Sequence, residues 1–233
     1  IEDTSNVIGP RRRGCRLPTQ PVRARAPGCP KKNMDGLVLY YHSACRKFVG
    51  RPCGFLYMLE FKGVEFDVKL PEEAPADAMP FFAVPMVKLP DGMTLSQTPA
   101  IMQVVGKALG LGGTSQVEEA HALMITLNMQ DILGEWAKGS PPLKENPERI
   151  KKWFGVLEKE LAAAGSGFLV GKGVTYADFF CYPSLVSRFD HLDTLNGVEK
   201  AEFPKLGAYI EHMKTLLAPS REKLVAKGYP MDP

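Results

Sequence analysis

The sequence predicts a small α/β layer followed by an all-helical bundle, with a basic arm ahead of both. Three observations carry that reading. Two-residue apolar alternation is confined to the first half, most clearly in "VEFDVKL", where Val64, Phe66, Val68 and Leu70 alternate with Glu65, Asp67 and Lys69. From Ser115 onward the apolar spacing is helical. Between the two halves lies "GLGGTS", residues 110–115, with the composition of a linker. The expected organisation is an arm at 1–36, an α/β domain at 37–112 and a helical domain at 113–233.

Each element follows from its local pattern. "LVLYY" is a short β-type run, and "RPCGFLYMLEFKG" places Phe55, Leu56, Met58 and Leu59 at helical spacing before Gly63, a C-cap. "PMVKL" and "MTL" flank the turn "PDG" and predict a hairpin. Thr98 before Pro99 predicts an N-cap with proline at the first helical position, opening "AIMQVVGKALG". In the second half "QVEEAHALMITLNMQDILGEWAK" reads as one long helix, and Asn146-Pro147 starts another. "TYADF" predicts a capping box between Thr175 and Asp178, and "FPKLGAYIEHMKTLL" opens a further helix on Pro204.

Composition narrows the function classes. Of 233 residues, 45% are hydrophobic and 24% charged, the ordinary balance of a globular chain. No apolar run approaches the roughly 18 residues that would suggest a membrane-spanning helix. Cys15, Cys29, Cys45, Cys53 and Cys181 form no CxxC pair and no zinc spacing with the four histidines, so reduced thiols and no metal are expected. The net charge is +3, but residues 1–36 alone carry eight Lys or Arg against Glu2, Asp3 and Asp35. The arm is therefore +5 and the remainder −2, a mildly acidic globule with a basic extension.

Prolines at 10, 18, 21, 27 and 30 and the lack of apolar periodicity predict an arm without regular structure. Its acid-poor stretch resembles the end of an organelle transit sequence, and the chain opens on Ile1. A cytoplasmic or organelle location (plastid or mitochondrion) after leader removal is expected. The arm could instead tie the domain to a large protein assembly. Nucleic acid is not an expected partner, because the arm has no aromatic residue for stacking and the globule is net negative.

One feature looks out of place. Val84-Pro85 precedes the first hairpin strand, although proline cannot donate to a sheet ladder. The order of elements and the stretches "LYY", "GRPCGFLYMLEFKGVEFD", "MPFFAVPMVKLPDGMTLSQTPAIM" and "TYADFF" are similar to the glutathione transferase family, especially its tyrosine-type, sigma-like cytosolic classes. The likeness spans residues 37 to about 229.

That resemblance implies a thioredoxin-like N-terminal domain, an all-α C-terminal domain and glutathione as co-substrate. It implies a cis Val84–Pro85 bond that opens the main chain of Val84 to an incoming peptide as one more strand. It implies Gln97 and Thr98 as the grip on the γ-glutamyl end, at the open end of a helix. It further implies Arg51 as the arginine following glycine, a small hydrophobic electrophile as second substrate, and a two-fold dimer. Tyr40 aligns with the tyrosine that donates to the sulfur, with Tyr41 as the alternative, since neighbouring strand residues face opposite ways.

The sequence departs from the family's pattern in three places. "YHSACRKFV" makes a longer loop after the first strand, and within it Ser43 or Cys45 offers another partner for sulfur. "EEAPADAM" is short and lacks the family's Trp and Lys for the glycine carboxylate, leaving Lys69 or Lys88 as substitutes. Phe82 and Ala83 replace a small residue and a Gln. These departures favour a second reading, a non-catalytic subunit of this fold anchored through its arm in an organelle assembly.

Overall fold

The computed structural model describes residues 34–75, 83–138 and 141–231. The expected arm at 1–36 lies outside them apart from its last three residues, as does Phe82. The elements are β1 (Leu37–Tyr40), α1 (Cys53–Lys62), β2 (Phe66–Lys69), β3 (Met86–Lys88), β4 (Thr94–Ser96) and α2 (Thr98–Ala108), then α3 (Gln116–Lys138), α4 (Pro147–Ala164), α5 (Tyr176–His191) and α6 (Pro204–Ala226). The four strands order as β2-β1-β3-β4, with β1 parallel to β2 and antiparallel to β3. A four-stranded mixed sheet followed by helices is the expected thioredoxin-like layer and helical region.

The strand register decides which side chains share a face. Leu39 pairs with Val87, which pairs with Leu95. Leu37, Leu39 and Val87 are fully buried in the main core, with α1 against them. Tyr40 pairs with Met86, which pairs with Ser96, so these three form a row on the other face.

Helix α1 has no solvent stripe, and every residue from Cys53 to Glu60 is buried. Gly63 ends it in the left-handed conformation that a side chain disfavours, φ 65°. Glu60, an acid inside this helix, is held by Lys227 at 2.6 Å and Lys223 at 3.8 Å from α6 and the turn after it.

The start of α5 is the keystone between the two halves. Asp178 accepts from the Thr175 amide at 2.8 Å and the Thr175 hydroxyl at 2.9 Å, closing the first turn. Its other oxygen accepts the Leu169 amide at 2.9 Å, fixing the preceding loop. Tyr176 reaches both halves: its amide donates to the Leu111 carbonyl at 2.9 Å, and its hydroxyl to the Glu119 carbonyl at 3.4 Å. Phe179 presses its backbone against Gly54 of α1 so closely that no Cβ fits there. Tyr176, Phe179 and Phe154 are fully buried, each stabilising by roughly 1.5–3 kcal/mol relative to exposure.

Candidate active site

The site begins where β4 hands over to α2. Gln97 has φ 64° and ψ 108°, a left-handed backbone that non-glycine residues rarely adopt. Its carbonyl accepts the first helical bond, from the Ile101 amide at 3.1 Å. Gln97 is thus the N-cap residue and Thr98 the first helical one, a shift of one from the cap expected at Thr98. Freed from capping, the Thr98 hydroxyl is buried with no hydrogen-bond partner among the described residues, and so is that of Ser96. An orphaned buried hydroxyl costs about 1–3 kcal/mol unless something meets it.

Thr98 faces a cavity of about 290 Å³. One wall is the entrance to α1, Val49 to Arg51 with Cys53 and Gly54. Gln130 and Leu133 of α3 form another, and Phe180, Pro183, Ser184, Ser187 and Arg188 of α5 close it. Among the described residues, no Asp or Glu lines it. A larger cavity of about 780 Å³ between α1, α5 and α6 shares only Cys53 and Pro183 with it, and none of the site residues named from sequence line that one.

The two tyrosines at the end of β1 separate cleanly. Tyr41 is still extended, φ −154°, and continues the Leu37–Leu39 face into the core. The backbone N–H of Arg51, a residue that lines the cavity, acts on its phenol. Burial raises the Tyr41 pKa, with the Arg51 amide opposing that and Cys45 adding to it. A Cβ on Gly50 would lie 2.8 Å from the Tyr41 hydroxyl, and Gly50 itself has φ 58°. Tyr40 is 4% exposed in the row with Met86 and Ser96, on the opposite face.

The remaining candidates fall into place around this. Val84–Pro85 is cis; Pro85 is buried and Val84 half-buried, just before β3. Arg51 is exposed and lines the cavity together with Thr98. Thus Arg51 and Thr98 line one cavity; Tyr41 does not line it but sets its hydroxyl against Gly50 of the cavity wall, and Tyr40 sits on the opposite face of the sheet.

The long loop after β1 makes one tight turn in which Ser43, Ala44 and Cys45 all have positive φ, 52°, 44° and 58°. Cys45 ends up fully buried, and burial pushes its thiol up to about 12. Cys53 is likewise pushed up to about 12 and Cys181 well above its ordinary value, so these three described cysteines stay protonated at neutral pH. A neutral, enclosed Cys45 does not suit mixed-disulfide chemistry. No group of three potential metal ligands exists among the described residues, and none of their helices is long and apolar enough to cross a membrane.

Comparison with known proteins agrees with this architecture. The family described as "Glutathione S-transferase, C-terminal domain" matches residues 140–217. Glutathione S-transferase 1 of Ascaris suum is 34% identical over 162 residues, covering 64% of this chain and 75% of that one. The glutathione S-transferase of Plasmodium falciparum is 28% identical over 200 residues, 78% of this chain and 92% of that one. Among solved structures, the glutathione S-transferase from Ascaris lumbricoides superposes with a TM-score of 0.67 at 30% identity, over 84% of this chain and 98% of the other. A thioredoxin-like layer joined to a helical domain with a cavity at their junction is the class of protein defined here. The chain belongs to the glutathione S-transferase family.

Proposed function

We propose that this chain is a glutathione transferase of the tyrosine type, joining the thiolate of glutathione to a hydrophobic electrophile. The observation that carries the reading is that Thr98, whose buried hydroxyl has no partner among the described residues, lines a cavity that Arg51 also lines. That end of α2, with Gln97 beside it, suits the γ-glutamyl carboxylate and ammonium, since the first amides of a helix attract an anion. Val84 offers its main chain to the cysteinyl residue in the manner of an added strand. The electrophile lies against α3 and α5.

The sulfur partner proposed from this geometry is Tyr41; Tyr40 is the partner that alignment alone suggests. The Arg51 amide beside the phenol offers only a donor, so the phenol keeps its own proton for donation. A raised pKa keeps that proton in place at neutral pH, so the phenol donates to sulfur and favours thiolate over thiol. A free thiol of pKa ~8.5 is only a few per cent ionised at pH 7, so lowering it by two units increases the nucleophile more than tenfold. The C–S bond then forms as the leaving group departs with its electron pair or the acceptor double bond takes up a proton.

Two measurements test this. Glutathione in excess over its Kd should raise the melting temperature, by about 2.7 kcal/mol of stabilisation at 100 times Kd. Tyr41→Phe should lower kcat/KM about 10²-fold, as removal of one preorganised donor does, while Tyr40→Phe changes it less than about twofold. The reverse ranking would return the role to Tyr40. No thermal shift and no conjugation would favour the second reading, a non-catalytic subunit anchored through residues 1–36. The sigma-like class, the dimer and a cytoplasmic or organelle location belong to the same proposal, and light scattering checks the dimer.

A further inference from the structure

Arg188 lines the cavity from the last turn of α5, and it is built unlike Arg149 of the same bundle. Arg149, on the surface, gives Nε and Nη2 to the Glu135 carboxylate. Arg188 is half-buried and pairs with no carboxylate among the described residues. One nitrogen, Nη1, donates to the Ser184 carbonyl at 2.7 Å, one turn back on the same helix. The guanidinium carbon sits 5.0 Å from the centre of the Trp136 ring. Nε is buried with no partner among the described residues. Burial alone brings its pKa down to about 10, so the group is still a cation at neutral pH.

A cation withdrawn from water without a counter-charge is destabilising, and such groups are ordinarily paired. Trp136 and the Ser184 carbonyl hold the plane of the guanidinium while satisfying only part of it. Among the described residues the cavity it borders offers no counter-charge, since its only other charged wall residue there is Arg51. Gln130, Ser184 and Ser187 complete a polar patch around it, and Leu133, Phe180 and Pro183 supply apolar surface.

From this juxtaposition we infer that Arg188 is a specificity-determining residue, receiving a carboxylate carried by the electrophile. The second substrate is then an apolar electrophile with an anionic end, its ring or chain against Leu133, Phe180 and Pro183. The inference rests on the transferase reading above, and it names which hydrophobic electrophiles that site prefers.

A matched pair of substrates tests it: 4-chloro-3,5-dinitrobenzoate, which carries a carboxylate, and its methyl ester, which is neutral and keeps the same ring and leaving group. In both, sulfur bonds to the ring carbon and chloride leaves with the electron pair. Wild type should favour the benzoate, and Arg188→Met should cut kcat/KM for it about 10- to 100-fold, the range for a lost hydrogen bond to a charged group. The neutral substrate and the KM for glutathione should change less than about twofold. Arg188→Lys, which keeps the charge, should recover part of the preference. Unreactive 3,5-dinitrobenzoate should compete with the electrophile in wild type, a readout that does not depend on Arg188→Met folding.

Equal losses on both substrates, a raised glutathione KM, or no competition by the benzoate would overturn the assignment of Arg188 alone. Failure of wild type to conjugate either substrate would overturn the transferase reading, and this inference with it.

Discussion

The two rims of the cavity are made by opposite means. At the α2 rim, Ser96 is tied into the sheet by pairing with Met86, and Gln97 passes straight into a helix. One residue there takes a left-handed backbone, and regular structure on both sides holds it. At the other rim, between Tyr41 and Arg51, three consecutive residues do so with no strand or long helix to hold them. Backbone bonds of 3.0 Å (Ala44 N to Tyr41 O) and 2.8 Å (Arg46 N to Ser43 O) close the turn, and Tyr41, His42 and Phe48 pack edge and face around it. Such conformations cost on the order of 1–3 kcal/mol each, and persist where the surroundings over-determine them. The difference teaches that the α2 rim is local chain geometry, whereas the loop rim depends on distant contacts. Changes at the loop should therefore move the phenol, and changes at α2 should alter only what it touches.

The sharpest way to break this contrast is Gly50→Ala. The added methyl would sit 2.8 Å from the Tyr41 hydroxyl and would need a left-handed backbone as well. The phenol must shift, and misplacing a reacting group by about 1 Å costs up to about 10²-fold in rate. We expect kcat for conjugation to fall by that order, with glutathione affinity nearly unchanged. An unaltered kcat would show that Gly50 does not set the position of the phenol.

Asp178 closes the first turn of α5, the helix that packs against both α1 and α2. Burial raises its pKa from 3.8 to about 6, partly opposed by the Leu169 and Thr175 bonds it accepts. The native state thus holds this proton more tightly than the unfolded chain. Its contribution to stability is complete below about pH 4 and is lost as pH rises through about 6. The advantage of wild type over Asp178→Asn should shrink across that window by on the order of 2–3 kcal/mol, measured as denaturation midpoints at each pH. A difference that grows with pH would mean the carboxylate is stabilised in its charged form instead.

Thr98→Val tests the α2 rim with a smaller effect. The substitution preserves shape and removes only a hydroxyl that has no partner among the described residues. Stability should hold or rise slightly, while the KM for glutathione rises about tenfold, the loss of one hydrogen bond to a charged group. The pairing of those two results is the test. A drop in stability would mean that the hydroxyl is satisfied within the fold.

How much of this could be read beforehand follows the same division. The bounds of α3, the Gly63 cap and the Thr175–Asp178 box are written in adjacent residues, and all three are visible in the sequence. The choice between Tyr40 and Tyr41 is not, because both are aromatic and both end up buried. Only the pairing of Leu39 with Val87 tells which face of β1 is the core. The turn at Ser43–Cys45 has no Gly or Asn to announce its backbone. Arg188 lies far along the chain from Gly50 and Thr98, and its missing partner is a property of the assembled cavity. The cap was read one residue late because Pro99 suits the second helical position as well as the first.

The gentlest test concerns what holds the loop rim from outside. Arg46 gives Nη1 to the Lys227 carbonyl and lays its guanidinium 4.5 Å from the centre of the Tyr229 ring. Tyr229 in turn stacks on Phe66 of β2, and Lys227 reaches Glu60 in α1. The extended loop is therefore latched to the turn after α6, so the two departures from regular structure stabilise each other. Arg46→Ala removes one exposed cation–π contact and one hydrogen bond, which together contribute about 1 kcal/mol or less in water. The melting temperature should fall by a few degrees at most. Amide exchange should quicken at Tyr229 and at Ala44, on both sides of the latch, with Ile101 in α2 unaffected. Equal quickening at Ile101 would mean that the two rims are one cooperative unit, and the division drawn between them would fail.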